Sequence, residues 1–198
     1  LACINSENTR QIIYELDPRT FDIVGTYKFR DASVLAHMNT LTYNPDTNLL
    51  YTTNAMIDGH RITTIDADTM SIGNTITIPE RVFNLAYDKK TNQFMSIVPI
   101  DATMRRINYY TSQFQLVQSK DIDANYDDYN NNGAFANDGK TIFATLSTVI
   151  TVDKTGNVTK IASFPKNLEI EDMDMRHNIM YAAVNMNHKV FIYTMLNY

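Results

Sequence analysis

Apolar and polar residues alternate along almost the whole chain, in short runs separated by polar turns. Phe83, Leu85 and Tyr87 form one such run, because each is separated from the next by a polar or small residue. A period of two is typical of a strand with one buried face. No long window keeps the i, i+3, i+4, i+7 spacing of an amphipathic helix. The pattern therefore predicts an all-β chain with a helix content near zero.

The strand, turn, strand pattern also repeats along the chain. The string that begins at Leu41 aligns with the string that begins at Leu85, and further copies begin at Gly133 and Glu171. A second set of hairpins, each with an aspartate near its turn, interleaves with the first at 16–20, 65–69 and 152–156. The repeat averages about 43 residues, which is the period of a propeller blade.

Each repeat contains four short strands, and four antiparallel strands at this period describe one blade of a β-propeller. We therefore predict a single β-propeller domain over residues 1–198, with five blades of four antiparallel strands. The first blade lacks its inner strand and the last blade lacks its outer strand. Because the sequence begins with Leu1 rather than Met, we expect a fragment of a longer chain. The alternative is an open arc that further chain completes.

Composition narrows the classes of function. The 198 residues are 44% hydrophobic, which is enough to bury a core and excludes a disordered chain. The formal net charge of -5, with both signs mixed along the chain, disfavours nucleic acid as a partner. No apolar run approaches the roughly 20 residues that cross a bilayer, so no transmembrane segment is predicted. The single Cys3 excludes an internal disulfide framework.

The candidate ligand-binding residues come from the loops at one end of the predicted blades. In a propeller, the loops between blades and those between second and third strands usually form the binding face. Here these loops are 30–37, 54–61, 99–106, 122–132, 165–167 and 185–188. The residues predicted to bind a ligand are His37, Asn54, Asp58, His60, Arg61, Asp101, Arg105, Asp123, Tyr126, Tyr129, Asn185, Asn187 and His188.

One segment, residues 121–133, resembles the spacing of oxygen ligands in a calcium loop. Tyr126 stands where such a loop needs Gly, and Asn132 stands where it needs a bidentate Glu. On the spacing of its oxygen ligands, calcium is a candidate cofactor despite these two departures. The alternative is a polar loop between blades that presents Tyr126 and Tyr129 at the surface. The histidines lack the spacing of a zinc site, and the metal ligands are unknown.

No sequence motif for catalysis is present. A nucleophile elbow, a P-loop and a dinucleotide glycine pattern are all missing from the sequence. Two of the three residues Asp58, Asp101 and Asp123 could face one cleft as a carboxylate pair. The predicted inner strand of the last blade also carries four acidic residues, which are Glu169, Glu171, Asp172 and Asp174. The alternative function is thus a hydrolase, lyase or lactonase with a metal or a carboxylate pair in the central channel.

Tyrosines fall into two groups. Those at repeat positions are expected to be buried between blades, and they are Tyr43, Tyr51, Tyr87 and Tyr181. Those outside the repeat are expected at the surface, and they are Tyr109, Tyr110, Tyr126 and Tyr129.

The string Leu-Thr-Tyr-Asn-Pro-Asp-Thr-Asn-Leu-Leu-Tyr at 41–51 resembles the YVTN/NHL-like propellers of bacterial surface proteins. The preceding His-Met-Asn-Thr-Leu-Thr-Tyr-Asn-Pro at 37–45 is similar to the opening of blades in receptor-binding and tail-tip proteins of phages of Gram-positive bacteria. The chain has no Trp, so it lacks the Trp-Asp ending of WD40 blades.

The resemblance implies a non-enzymatic recognition propeller on a virion or in an extracellular location. Its implied partner is a cell-surface glycan, such as wall teichoic acid, or a protein receptor. A homo-oligomer held through the missing flanking regions is a further expectation.

Overall fold

The structure is a computed structural model that describes residues 2–7, 10–29, 32–35, 37–54, 59–123, 131–137, 140–145, 147–153, 155–165, 167–176, 179–187 and 189–196. In these ranges the chain forms β-strands and a single helical turn, α1 (Ala32–Leu35). The strands make five antiparallel sheets, and within each sheet they lie side by side in chain order. The all-β prediction is therefore confirmed.

The five sheets have three, four, four, four and three strands. Sheet 1 contains β1 (Ala2–Glu7), β2 (Arg10–Leu16) and β3 (Ile23–Phe29). Sheet 2 contains β4 (Thr42–Asn44), β5 (Leu49–Thr53), β6 (Arg61–Asp66) and β7 (Ile72–Thr77). Sheet 3 contains β8 (Ala86–Asp88), β9 (Gln93–Pro99), β10 (Met104–Thr111) and β11 (Leu116–Asp123). Sheet 4 contains β12 (Asn131–Asn137), β13 (Lys140–Thr145), β14 (Thr148–Val152) and β15 (Val158–Ser163). Sheet 5 contains β16 (Glu169–Arg176), β17 (Ile179–Met186) and β18 (Lys189–Leu196).

The repeated turn between the first two strands is closed by a tyrosine and an asparagine. The Tyr43 hydroxyl donates to Asn48 Oδ1 at 2.9 Å, and the Tyr87 hydroxyl donates to Asn92 Oδ1 at 3.0 Å. Both asparagines have positive φ, 55° and 52°, which Asn tolerates better than most residues. The aligned strings at 41–51 and 85–95 therefore encode one turn geometry.

Aspartates close the interleaved hairpin turns by accepting backbone hydrogen bonds, as Asx turns do. Asp17 Oδ1 accepts from Arg19 N at 2.7 Å, and Asp66 Oδ1 accepts from Thr69 N at 2.8 Å. The bonds from Thr69 hold the pKa of Asp66 below its usual value. These carboxylates stabilise local structure at the end of the sheets opposite to the predicted binding loops.

The chain divides into two compact units, residues 1–83 with sheets 1 and 2, and residues 84–198 with sheets 3, 4 and 5. In the first unit, apolar faces of the two sheets pack on each other. Ile13 from sheet 1 and Leu50 and Ile65 from sheet 2 are buried there, together with Leu35 of α1.

In the second unit, strand β14 contributes to two cores because its side chains alternate. Ile150 packs with Ile97 and Ile107 of sheet 3, whereas Val149 packs with Ile170 of sheet 5's first strand. The first strand of sheet 4, β12, also contacts β8 and β16. Sheets 3, 4 and 5 are therefore packed face to face, with their first strands adjacent.

Asn84 extends the pairing of β8 by means of its side chain. It is fully buried and lies in register with Ile97, two residues before β8 begins. Its Nδ2 donates to Ile97 O at 3.1 Å, and its Oδ1 accepts from Ile97 N at 2.8 Å. The amide thus satisfies both backbone groups of a β9 residue that β8 does not reach.

Two tyrosine predictions are wrong. Tyr43 is 45% exposed because it points away from the buried face of its short strand and bonds its own turn. Tyr110 is fully buried and lies near Phe114, with ring centroids 6.4 Å apart. Tyr51 and Tyr87 are buried as predicted. The five-blade count, closure of the ring and the single domain over residues 1–198 stay predictions.

Candidate functional site

One end of sheet 2 gathers several predicted site residues. At this end β4 begins, β5 ends, β6 begins and β7 ends, so the segments around these points are neighbours. We call residues 37–40, 54, 59–61 and 78–83 the loop cluster. Met38 forms an isolated β-bridge with Asn54, and Asn54 N donates to Arg61 O at 3.2 Å. His37, Asn54, His60 and Arg61 therefore lie at one end of the sheet.

Backbone hydrogen bonds hold the two main segments of the loop cluster together. Ile78 N donates to His60 O at 2.9 Å, and Val82 N donates to Gly59 O at 2.6 Å. Gly59 has a φ of 68°, a conformation that favours glycine. A Cβ at this position would lie 3.4 Å from Arg81 Nε, so glycine also keeps the two segments close.

The backbone of Phe83 is held from two directions. Its carbonyl oxygen accepts from Asn39 Nδ2 at 2.6 Å and from Thr53 Oγ1 at 3.0 Å. Asn39 N in turn donates to Thr53 O at 3.1 Å. The backbone of Phe83 is thus held by the body of sheet 2 and not by the loop alone.

The side chains of 80–83 supply charge and an aromatic surface. The exposed Arg81 guanidinium lies over the Phe83 ring, 4.7 Å from its centroid. Such a contact at an exposed position contributes about 0.5–1 kcal/mol. Glu80 Oε2 is buried and accepts no hydrogen bond from the described residues. The loop cluster therefore presents a cation over an aromatic ring, and the unmatched oxygen of Glu80 lies buried within the same four consecutive residues.

The predicted binding loops do not include 78–83, although this segment joins β7 of one sheet to β8 of the next, as loops of the predicted binding face do. Phe83 opens the alternating run of Phe83, Leu85 and Tyr87, so the pattern predicts a strand there, although β8 begins only at Ala86. The signal that could have identified the loop is Pro79 followed by the charged Glu80 and Arg81.

In the second unit, Asp101 uses its carboxylate to close its own turn. Asp101 Oδ1 accepts from Thr103 N and from Met104 N, each at 2.8 Å. These bonds, with Arg105 nearby, hold the pKa of Asp101 below its usual value. The predicted ligand-binding carboxylate is thus a turn-forming group, like Asp66 in sheet 2.

Arg105 lies in β10 and not in an exposed loop, which corrects its predicted placement. Its side chain is fully buried, and Nη1 donates to Asp101 O at 2.8 Å and to Met104 O at 3.0 Å. The guanidinium therefore holds the backbone of the turn between β9 and β10. A single sequence shows a charge at this position but not the register that turns the side chain inward.

Asp123 ends β11 and lies opposite Met104, so it is a strand residue and not part of a loop. Two residues earlier, Asp121 forms a bidentate pair with Arg106, at 2.6 Å and 2.9 Å. This pair holds the pKa of Asp121 below its usual value. The first residue of the suggested calcium loop is therefore already bound by a guanidinium.

Asn185 lies in β17 and contacts an acidic residue of β16. Its Nδ2 donates to Glu171 Oε1 at 3.2 Å, while its Oδ1 is buried and accepts no hydrogen bond from the described residues. Burial and the neighbouring Glu169 raise the pKa of Glu171, and the bond from Asn185 opposes this. Asn187 follows in the exposed turn, with a φ of 52°.

Asp58, Tyr126, Tyr129 and His188 lie outside the described residues, and their predicted roles stay predictions. No three His, Cys, Asp or Glu side chains converge on a metal position in the part of the chain that the structure describes. The calcium prediction also stays open, because most of its loop lies outside these residues. No helix among the described ranges is both long and apolar enough to cross a membrane.

Comparison with known proteins identifies the fold but no family. No protein-family model matches the chain, and no curated protein matches it. The chain is similar in structure to a luciferin-regenerating enzyme, with 10% identity, a TM-score of 0.60 and coverage of 99% of this chain and 74% of that one.

It is also similar to the WD40 repeats of RRP9, with 13% identity, a TM-score of 0.55 and coverage of 95% of this chain and 57% of that one. Hydrazine synthase of Kuenenia stuttgartiensis is similar at 12% identity and a TM-score of 0.51, over 80% of this chain and 45% of that one. The chain thus spans about half the length of these last two proteins. The meander sheets, their face-to-face packing and these similarities together show a fold of the β-propeller type.

Proposed function

We propose that the chain is a non-enzymatic recognition module whose loop cluster binds a cell-surface glycan. The proposed ligand class is a polyol phosphate such as wall teichoic acid, and the proposed setting is host recognition at a virion or bacterial surface. The observation that carries the proposal is the exposed Arg81 guanidinium held over the Phe83 ring.

The chemistry of this pair suits a ligand that carries anionic groups. A guanidinium binds phosphate oxygens through paired N–H donors. The two described arginines of the loop cluster, Arg61 and Arg81, outnumber its one described carboxylate, Glu80. A neutral sugar alone would form no ion pair with this excess positive charge.

Replacing Arg81 by Ala should weaken binding of purified wall teichoic acid by about tenfold or more, since it removes a charge-assisted contact. Isothermal titration with and without calcium measures the effect. The matched control is Arg19→Ala, because Arg19 is an exposed arginine in the turn between β2 and β3. Equal affinities for the Arg81→Ala and Arg19→Ala variants would place the ligand elsewhere.

A second candidate function is an enzyme in which Glu171 acts as a general acid. The raised pKa of Glu171 favours this, because general acids at neutral pH need carboxyl groups that stay protonated. Glu169, on the same strand, would be the second carboxylate of the pair. Hydrolysis of a test ester, lactone or glycoside by the purified chain, with no glycan binding, would favour this candidate over the first.

Glu171→Gln should change the pH dependence of stability in a defined direction. Because the folded state raises the pKa of Glu171, the stability that its neutral form provides is complete below the ordinary Glu pKa. That stability is lost as the pH rises through the folded pKa. The Gln variant keeps a neutral side chain, so its urea midpoint should exceed that of the wild type more at pH 7 than at pH 4.

The control for this titration is Glu15→Gln, because Glu15 is exposed and lies in sheet 1. If Glu171 is a general acid, its Gln variant should also lose about 10²–10⁴-fold in the rate of hydrolysis. A pH-independent stability difference would show that Glu171 ionises normally and would remove the support for this second candidate.

A further inference from the structure

Thr52 of β5 carries a buried hydroxyl that its protein neighbours do not satisfy. The residue is 2% exposed, and no group among the described residues forms a hydrogen bond with its Oγ1. Buried hydroxyls nearly always have a partner, because an unmatched one keeps the full cost of its desolvation. We therefore expect Thr52 Oγ1 to bind a partner that is not one of these groups.

The side chain of Thr52 points toward the core between sheets 1 and 2. Thr52 follows Leu50 by two residues, so both side chains lie on the same face of β5. Leu50 packs there with Ile13 of sheet 1 and Leu35 of α1. Thr63 of β6 lies directly opposite Thr52 and is 1% exposed. The two hydroxyls thus face the core to which α1 belongs.

The carbonyl oxygen of Val34 in α1 is an acceptor on the same side of sheet 2. Carbonyl groups at the end of a helix have no partner within the helix, and α1 is only four residues long. Val34 O accepts from Thr63 Oγ1 at 3.5 Å and from Asn54 Nδ2 at 3.4 Å. Both bonds are longer than usual, since most hydroxyl donors lie within about 3.0 Å and most N–H donors within about 3.2 Å. The carbonyl group is therefore weakly satisfied.

A water molecule suits this set of groups. A buried water typically makes about three hydrogen bonds to polar groups that the protein leaves unsatisfied. The hydroxyl of Thr52 can both donate and accept, and the carbonyl oxygen of Val34 has two lone pairs. Neither these groups nor the Thr63 hydroxyl carries a charge, so an ion would lack a counter-charge here.

We propose that one ordered water molecule is bound between sheet 2 and α1, with Thr52 Oγ1, Thr63 Oγ1 and the carbonyl oxygen of Val34 as its hydrogen-bond partners. The water links α1 to the body of sheet 2. Because α1 precedes residues 37–40 of the loop cluster, this link helps to fix the position at which that segment begins. The inference does not depend on which ligand the loop cluster binds.

Oxygen-17 relaxation dispersion of the whole chain tests the proposal, because it measures the number of water molecules that stay bound for longer than nanoseconds. Thr52→Val removes the hydroxyl with little change in shape, and this variant should hold one long-lived water fewer than the wild type. Its urea midpoint should also fall by about 0.5 M, since the water site loses a hydrogen bond. Thr52→Ser keeps the hydroxyl and should keep the water.

Thr53→Val is the matched control, because Thr53 is fully buried and its Oγ1 already donates to Phe83 O at 3.0 Å. Loss of this bond should lower the urea midpoint without changing the number of long-lived waters. An equal number of long-lived waters in Thr52→Val and the wild type would overturn the proposal. So would a higher urea midpoint for Thr52→Val, because removing a buried hydroxyl that has no partner relieves its desolvation cost.

Discussion

Ile107→Ala should lower the free energy of unfolding of the second unit by about 2–5 kcal/mol, the usual cost of truncating a fully buried isoleucine. Ile107 is fully buried, lies opposite Ile97 in sheet 3 and packs against Ile150 of sheet 4. Removing its side chain leaves a cavity between two sheets that meet face to face. Urea denaturation followed by circular dichroism measures the loss.

The matched control for Ile107→Ala is Ile23→Ala on the outer strand β3. Ile23 is 60% exposed, so its truncation should change the free energy of unfolding by no more than about 0.5 kcal/mol. If both variants lost the same small amount, the side chain of Ile107 would not lie in a core between sheets 3 and 4.

Asn84→Ala should destabilise the second unit by about 2–4 kcal/mol, because it leaves the N–H and C=O of Ile97 buried without partners. The Ala side chain cannot supply the donor and the acceptor that Asn84 provides at 3.1 Å and 2.8 Å. Hydrogen exchange supplies a specific measurement, since the Ile97 amide should exchange much faster in the variant.

Asn74→Ala is the control for Asn84, because Asn74 is an exposed residue of β7. It should leave both the free energy of unfolding and the exchange of Ile97 unchanged. An Ile97 amide that remains protected in Asn84→Ala would mean that the backbone of β8, and not the side chain of Asn84, satisfies this residue.

The strands and their turns could be predicted from sequence because the interactions that form them are local. Tyr87 reaches Asn92 within one turn, and Asp66 accepts from Thr69 only three residues away. Such contacts appear as a repeated spacing of residue types. The same spacing predicts the four-stranded unit. It also predicts the end of the sheet at which His60 and Arg61 lie.

Contacts between distant parts of the chain could not be predicted in this way. The burial of Arg105 depends on the register of β10 against β9 and β11, which its neighbours in sequence do not reveal. Among the residues that the structure describes, the contact of Arg81 with Phe83 has no copy in the other repeats, so no repeated spacing indicates it. The residues that carry the proposed function are thus those that depart from the repeat.

The loop cluster of sheet 2, and not the turns at the opposite end, is the proposed site for an anionic glycan. Hydrogen exchange with and without purified wall teichoic acid is the sharpest test of this placement. We expect slower exchange in 59–61 and 78–83 on binding, and no change in the turns at 45–48 and 67–71. Slower exchange confined to those turns, or to residues 169–187 around Glu171, would contradict it.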